Sequence, residues 1–200
     1  MSAATPRYVS NAPLQRADGR VRAVIEHVTP QVDGGRFPIK RVVGEPVQVR
    51  ADVFTDGHDC VVAQLLYRRD GDTRWRASTM RALGNDRWEA EFVPDELGRW
   101  HYRVRAWVDH FLTWRRDLHK RHAAGQDLSV EWQRGAAMLK AAARRGQSAR
   151  LADCAERLAD DSAATAARLE LAAHPALAAL MQAHPDPDLV AVQTPALAVV

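Results

Sequence analysis

Residues 47–53 set the pattern from which the rest of the chain can be read. Val47, Val49, Ala51 and Val53 alternate with Gln48, Arg50 and Asp52, the period-2 signature of a strand with one face in a core and the other in water. A longer alternation begins at Trp100, where Trp100, Tyr102, Val104, Ala106 and Val108 share one phase and His101, Arg103, Arg105 and Asp109 the other, which predicts a central strand. Further strands are expected over residues 22–28, 61–67, 75–80 and 88–93. The turn chemistry between them is Asp33-Gly34-Gly35, Asp56-Gly57, Asp70-Gly71-Asp72, Leu83-Gly84-Asn85-Asp86 and Asp95-Glu96-Leu97-Gly98. Short strands at such even spacing argue a sandwich rather than alternating βα units.

Beyond Trp114 the period changes to helical. Asp117 is the expected cap of a short helix ending near Gly125, and Asp127 or Ser129 the cap of the next, along which Leu128, Trp132, Ala136, Leu139 and Ala143 recur. Gly146-Gln147-Ser148 breaks that helix, Leu151, Ala155 and Leu158 stripe a third, Asp160-Asp161-Ser162 starts a fourth, and His174-Pro175 restarts a last one. The prolines at 185 and 187 then end regular structure. The expected organisation is a flexible tail over 1–20, an immunoglobulin-like β-sandwich over 21–116, an α-helical bundle over 117–184 and a linker over 185–200. The immunoglobulin-like assignment comes from Gly98-Arg99-Trp100-His101-Tyr102, which resembles the corner entering the penultimate strand of such sandwiches.

Composition narrows the functional classes. A chain of 200 residues that is 46% hydrophobic can bury a core. Its 28 basic residues nearly match its 25 acidic ones, and no basic run stands out, which argues against a nucleic-acid partner. The first twenty residues lack the apolar stretch of a secretory signal, and no membrane-length apolar run occurs. Cys60 and Cys154 fall in different architectures, so no disulfide and a cytoplasmic location are expected.

Candidate chemistry is sparse. His119 and His122, with His58, Asp59 or Cys60, fall short of the three or four ligands a zinc site needs. Glu89 and Glu91 share a strand face about 7 Å apart, yet read as solvent-facing charges beside arginines rather than a glycosidase pair. Ser10, Ser78, Ser129 and Ser148 lack a nucleophile elbow, and there is no glycine-rich phosphate loop. No catalytic residue, metal site or cofactor is therefore expected. All six tryptophans lie between residues 75 and 132. Trp88 and Trp100 fall on apolar phases and should share one core. Trp107 falls on the polar face of its strand, and with Trp114 and Trp132 it is the candidate for contact with another domain or subunit.

Several segments carry a family resemblance: Asp33-Gly34-Gly35-Arg36-Phe37-Pro38-Ile39-Lys40-Arg41, Val49-Arg50-Ala51-Asp52-Val53-Phe54 and Leu83-Gly84-Asn85-Asp86-Arg87-Trp88. Leu97-Gly98-Arg99-Trp100 and Ala106-Trp107-Val108-Asp109 through Thr113-Trp114-Arg115-Arg116-Asp117 extend it. Together they resemble the N-terminal region of the GlgE-type α-1,4-glucan:maltose-1-phosphate maltosyltransferases, members of the α-amylase-like superfamily. The resemblance covers residues 21–139 well and the alanine-rich helices loosely. It implies a sandwich and helical region that precede a catalytic barrel and help form a homodimer. It implies too that α-glucan and maltose 1-phosphate are handled only by that barrel, of which nothing is seen here, so residues 194–200 are expected to lead towards it. The expectation is a non-catalytic dimerisation and scaffold module. The alternative is a stand-alone glucan-binding or protein-interaction sandwich.

Overall fold

The computed structural model describes residues 7–9 and 19–200. They divide into two units. One comprises the described residues up to Val108 together with Pro187–Val200, and the other is Asp109–Asp186.

The first unit is built from β1 (Arg7–Val9), β2 (Val24–Thr29), β3 (Val47–Phe54), β4 (Val61–Arg69), β5 (Trp75–Thr79), β6 (Arg81–Gly84), β7 (Arg87–Phe92), β8 (Trp100–Val108), β9 (Ala191–Val192) and β10 (Leu197–Val199). These form two antiparallel sheets. One runs β1-β5-β4-β8-β10 with β9 also on β8, and the other runs β2-β3-β7-β6. The expected sandwich is thus present. Strand β3 follows the alternation read from sequence, with Val47, Val49, Ala51 and Val53 buried and Gln48 and Arg50 exposed. Between the sheets Tyr67 stacks on Phe92 at 4.8 Å, and Phe92 lies 6.3 Å from Trp100 and 5.7 Å from Tyr102, so the cross-sheet contact is aromatic at this end.

Four strands were not legible. The tail expected over residues 1–20 lies largely outside the described residues, but within it Arg7–Val9 pairs with β5, Tyr8 opposite Arg76. Three residues are too few to show a period. The segment read as one strand over 75–80 ends at Thr79, and the chain then changes sheet through Met80, which is buried, to run on as β6. Asn85 and Asp86, at φ of 49° and 60°, make the two-residue left-handed turn that joins β6 to β7. The largest departure is at the far end. Residues 185–200, expected as a linker, return to the sheet: Leu197, Ala198 and Val199 pair with Tyr102, His101 and Trp100, while Ala191 and Val192 pair with Ala106 and Arg105. Leu197 and Val199 enter the sandwich core. Their partners are more than eighty residues earlier in sequence, a distance at which local pattern carries no information.

The second unit contains α1 (His110–Ala123), α2 (Ser129–Gly146), α3 (Ala149–Ala159), α4 (Thr165–Ala173) and α5 (Pro175–Ala183). The last four sit close to where caps and breakers put them. Ser148 accepts from the Leu151 amide at the start of α3, Asp127 and Asp160 accept from the amides and hydroxyls of Ser129 and Ser162, and the His174 ring accepts from the Ala176 amide. The start of α1 is corrected. The helix begins at His110 rather than Asp117, with the Asp109 carboxylate accepting from the Leu112 amide at 2.9 Å. Its buried face, Phe111, Trp114 and Leu118, opens directly after β8, so the boundary moves from 116/117 to 108/109. Burial raises the Asp109 carboxyl above its usual range despite the amides it faces.

That burial gives a signed expectation. Because the folded-state pKa is raised, the charge on Asp109 lowers stability as pH climbs from the unfolded to the folded value, and the deficit persists above it. Asn caps a helix as well as Asp does. Asp109→Ala should therefore cost about 1 kcal/mol, whereas Asp109→Asn should match or exceed the parent at neutral pH and lose its advantage at acid pH. Urea unfolding at several pH values measures both; an Asn variant that is weaker than the parent at pH 7 would refute the account.

Candidate functional site

The outer face of β5, β4 and β8 carries the least ordinary chemistry of the sandwich unit. Register places Arg105 opposite Gln64, Arg103 opposite Leu66 and His101 opposite Arg68. Two guanidiniums lie over the Trp75 ring, Arg103 at 4.3 Å and Arg68 at 4.7 Å from its centre, cation–π contacts that help to orient both arginines. Arg105 is 8% exposed and has no carboxylate partner among the described residues. Its Nε and Nη2 donate to Gln64 Oε1 at 2.9 and 2.6 Å, and its guanidinium lies 5.7 Å from the Trp107 ring. Burial, with the Arg103 charge adding to it, pushes its pKa down to about 10, so it remains a cation at neutral pH. A buried positive charge satisfied by an amide is a costly arrangement. Sequence reading set Arg105 on the solvent face because alternation alone cannot show that both faces of β8 are covered beyond Val104.

The residues singled out from sequence do not converge. Trp114 and Trp132, reserved for contact with another domain or subunit, lie inside the helical unit's own core at 2% and 3% exposure, and Trp114 Nε1 donates to the Glu131 carbonyl. Trp107 is 4% exposed. Glu89 is paired with Arg50 at 2.8 Å and Arg81 at 3.1 Å, and the Arg50 hydrogen bond foremost holds its carboxyl below the usual range. That is a depressed rather than a raised pKa, opposite to what a general acid needs. Asp59 is taken by Arg22 at 2.8 Å, and His119 and His122 are exposed. Among the described residues there is no group of three or more His, Cys, Asp or Glu that could hold a metal ion. Ser148 is a helix cap and Ser129 is bonded to Asp127; Ser10 lies outside the described residues. Nor is any helix among the described residues long and apolar enough to cross a membrane.

The described residues thus form a two-sheet sandwich interrupted in sequence by a five-helix unit, with many of their polar side chains engaged in ion pairs and caps. Comparison with known proteins gives the family. Residues 21–200 match the family profile of α-1,4-glucan:maltose-1-phosphate maltosyltransferase, domain N/S, and the chain belongs to that family. Maltosyltransferases of that name are similar to it: that of Chlorobaculum tepidum is 48% identical over 145 residues, which is 71% of this chain and 22% of the relative. That of Methylacidiphilum infernorum is 40% identical over 172 residues, 86% of this chain and 26% of the relative. That of Myxococcus xanthus is 42% identical over 176 residues, 82% and 26%. The chain thus spans 22–26% of the length of these relatives.

Proposed function

We propose that the chain is a non-catalytic dimerisation and scaffold module of a cytoplasmic maltosyltransferase that extends α-1,4-glucan from maltose 1-phosphate, with its immunoglobulin-like sandwich as the rigid part. The observation that supports this reading is a match across residues 21–200 to one domain of relatives several times longer. Glucan and maltose 1-phosphate would be held by a catalytic barrel of the same parent chain. A glucan-binding sandwich, the alternative, would need a row of exposed tryptophans. Here Trp75, Trp100, Trp107, Trp114 and Trp132 are each 4% exposed or less.

A surface suited to the scaffold role lies on the loop between β2 and β3. It exposes Val32, Phe37 and Val42, the last two at 52% and 66%, yet it is firmly tied. Ile39 donates to Ala198 and Val200 donates back to Ile39, Arg41 donates to Val200, Gly44 donates to Pro94, and the buried Tyr102 hydroxyl donates to the Pro30 carbonyl. Apolar side chains presented by a fixed loop are a packing surface.

Two outcomes are expected. Sedimentation equilibrium should give a mass near two chains, about 45 kDa against 22.3 kDa for one, and Phe37→Asp with Val42→Asp should shift it to one chain with helicity unchanged. A single-chain mass for the parent would rule the dimer out. The purified chain should also release no phosphate from maltose 1-phosphate above the blank; measurable release would overturn the non-catalytic reading.

A further inference from the structure

The helical unit contains a cleft of about 350 Å³ between α3 and α4, closed below by Leu177 of α5, at the lower end of the size range of small-molecule sites. The wall from α3 carries Arg150, Asp153 and Arg157, and the wall from α4 carries Glu170 and His174, with Cys154 and Leu171 forming the floor. These positions recur at i, i+3, i+4 and i+7, so each helix turns one face to the cleft. The five-residue connection between α3 and α4 makes them antiparallel neighbours, which puts Arg150, in the first turn of α3, at the same end as His174, just beyond the last turn of α4.

The chemistry of the walls is specific. Asp153 and Arg157 are 3.8 Å apart on one exposed helix face, a weak pair. Arg150 and Glu170 have no ion-pair or hydrogen-bond partner among the described residues. His174 Nδ1 accepts the Ala176 amide, so in the neutral ring the proton sits on Nε2 and that nitrogen is a donor. Donors therefore gather at the Arg150–His174 end and an unpaired carboxylate lies one helical turn along, at Glu170. The two guanidiniums and two carboxylates cancel, so a simple anion or cation gains at one position what it loses at the next. The floor is apolar and no aromatic side chain lines the cleft, which leaves a sugar ring nothing to stack on.

We propose that this cleft binds a small zwitterion of dipeptide length, its carboxylate on Arg150 and His174, its ammonium on Glu170 with Asp153 alongside, and an apolar side chain on the Cys154–Leu171–Leu177 floor. Length follows from the walls. Glu170 and His174 are four residues apart, about 6 Å along the helix axis, which a dipeptide's termini span and a single α-amino acid's do not. Charge-assisted contacts at both ends supply the selectivity.

Cys154 provides the readout, because it lies on the floor of the cleft while Cys60 lies in the other unit. Alkylation of both thiols of the whole chain by iodoacetamide is followed by peptide mass spectrometry, with Cys60 as the internal reference. Glycyl-leucine should slow Cys154 saturably, by about tenfold at ten times its dissociation constant, and leave Cys60 unchanged. Arg150→Ala and Glu170→Ala, both on exposed side chains, should each abolish most of the protection, taken as the ratio of each variant's rates with and without glycyl-leucine, because the Arg150 charge itself acts on the Cys154 thiol. The proposal fails if glycyl-leucine gives no protection, if leucine, maltotriose or inorganic phosphate protects equally, or if both variants are protected like the parent.

Discussion

Replacing Trp100 by alanine is expected to remove about 3–5 kcal/mol of stability, much of what a domain of this size has to lose. Its side chain is 1% exposed, lies 6.3 Å from the Phe92 ring, and donates through Nε1 to the Glu96 carbonyl across the turn that opens β8. The Arg76 guanidinium lies over its ring, 5.3 Å from the centre. Alanine would leave a cavity bordered by both sheets and an acceptor without its donor. Trp88, expected from sequence to be equivalent, shares the same core but is half-buried, with Nε1 bonded to the Val53 carbonyl. Trp88→Ala should therefore cost less, about 1–3 kcal/mol. Urea unfolding followed by circular dichroism compares the two; a loss below about 1 kcal/mol for Trp100→Ala would remove it from the core, and equal losses would show that exposure does not separate them.

The second large effect is expected at Gly135, where sequence and structure point in opposite directions. Read as sequence, a glycine inside a helix costs about 1 kcal/mol relative to alanine, so Gly135→Ala should stabilise α2. In the folded unit a β-carbon at this position would lie 2.6 Å from Trp114 Cη2, closer still to Cζ2, and 2.8 Å from Leu158 Cδ2. Trp114 cannot retreat: it is 2% exposed, packed on Phe111 at 5.3 Å and anchored through Nε1 to the Glu131 carbonyl. Overpacking of this kind costs about 1–3 kcal/mol, enough to reverse the propensity gain, and Gly135→Val should be worse. The diagnostic is a double-mutant cycle. With Trp114→Phe in place, Gly135→Ala should recover the stabilisation its helix propensity promises; if alanine stabilises the parent instead, the close approach of α1, α2 and α3 is wrong.

These two positions also mark what could be read in advance. Strands β3 and β8 were legible from alternation and β4 from a continuous apolar run, and these, like β7, are set off by Gly, Asp or Asn turns. Helices α2 to α5 were legible from their caps. Elements of two or three residues, β1, β9 and β10, carry no period, and their existence depends on partners far away in the chain. The start of α1 was misplaced because Phe111 and Trp114 continue the aromatic run of β8, masking the change of period. Ala136, Ala142, Ala155 and Ala172 are buried in the same core as Trp114 and Trp132. What no pattern revealed were the Arg105–Gln64 pair and the α3–α4 cleft. Both are made by side chains whose character, charged and polar, reads as solvent-facing until the neighbouring element is in place.

The return of β9 and β10 to β8 has a consequence for synthesis on the ribosome. Ala106 pairs with Ala191, so the whole of Asp109–Asp186 occupies the place of a hairpin loop. The sandwich cannot close until that insertion has been translated, and at about 5–20 residues per second the delay is roughly 4–16 s. Through that interval the edge of β8 that will receive Leu197 and Val199 is open, and a nascent chain on a neighbouring ribosome offers the same edge. The helical unit is thus complete in the growing chain before the sandwich that encloses it in sequence has its last two strands.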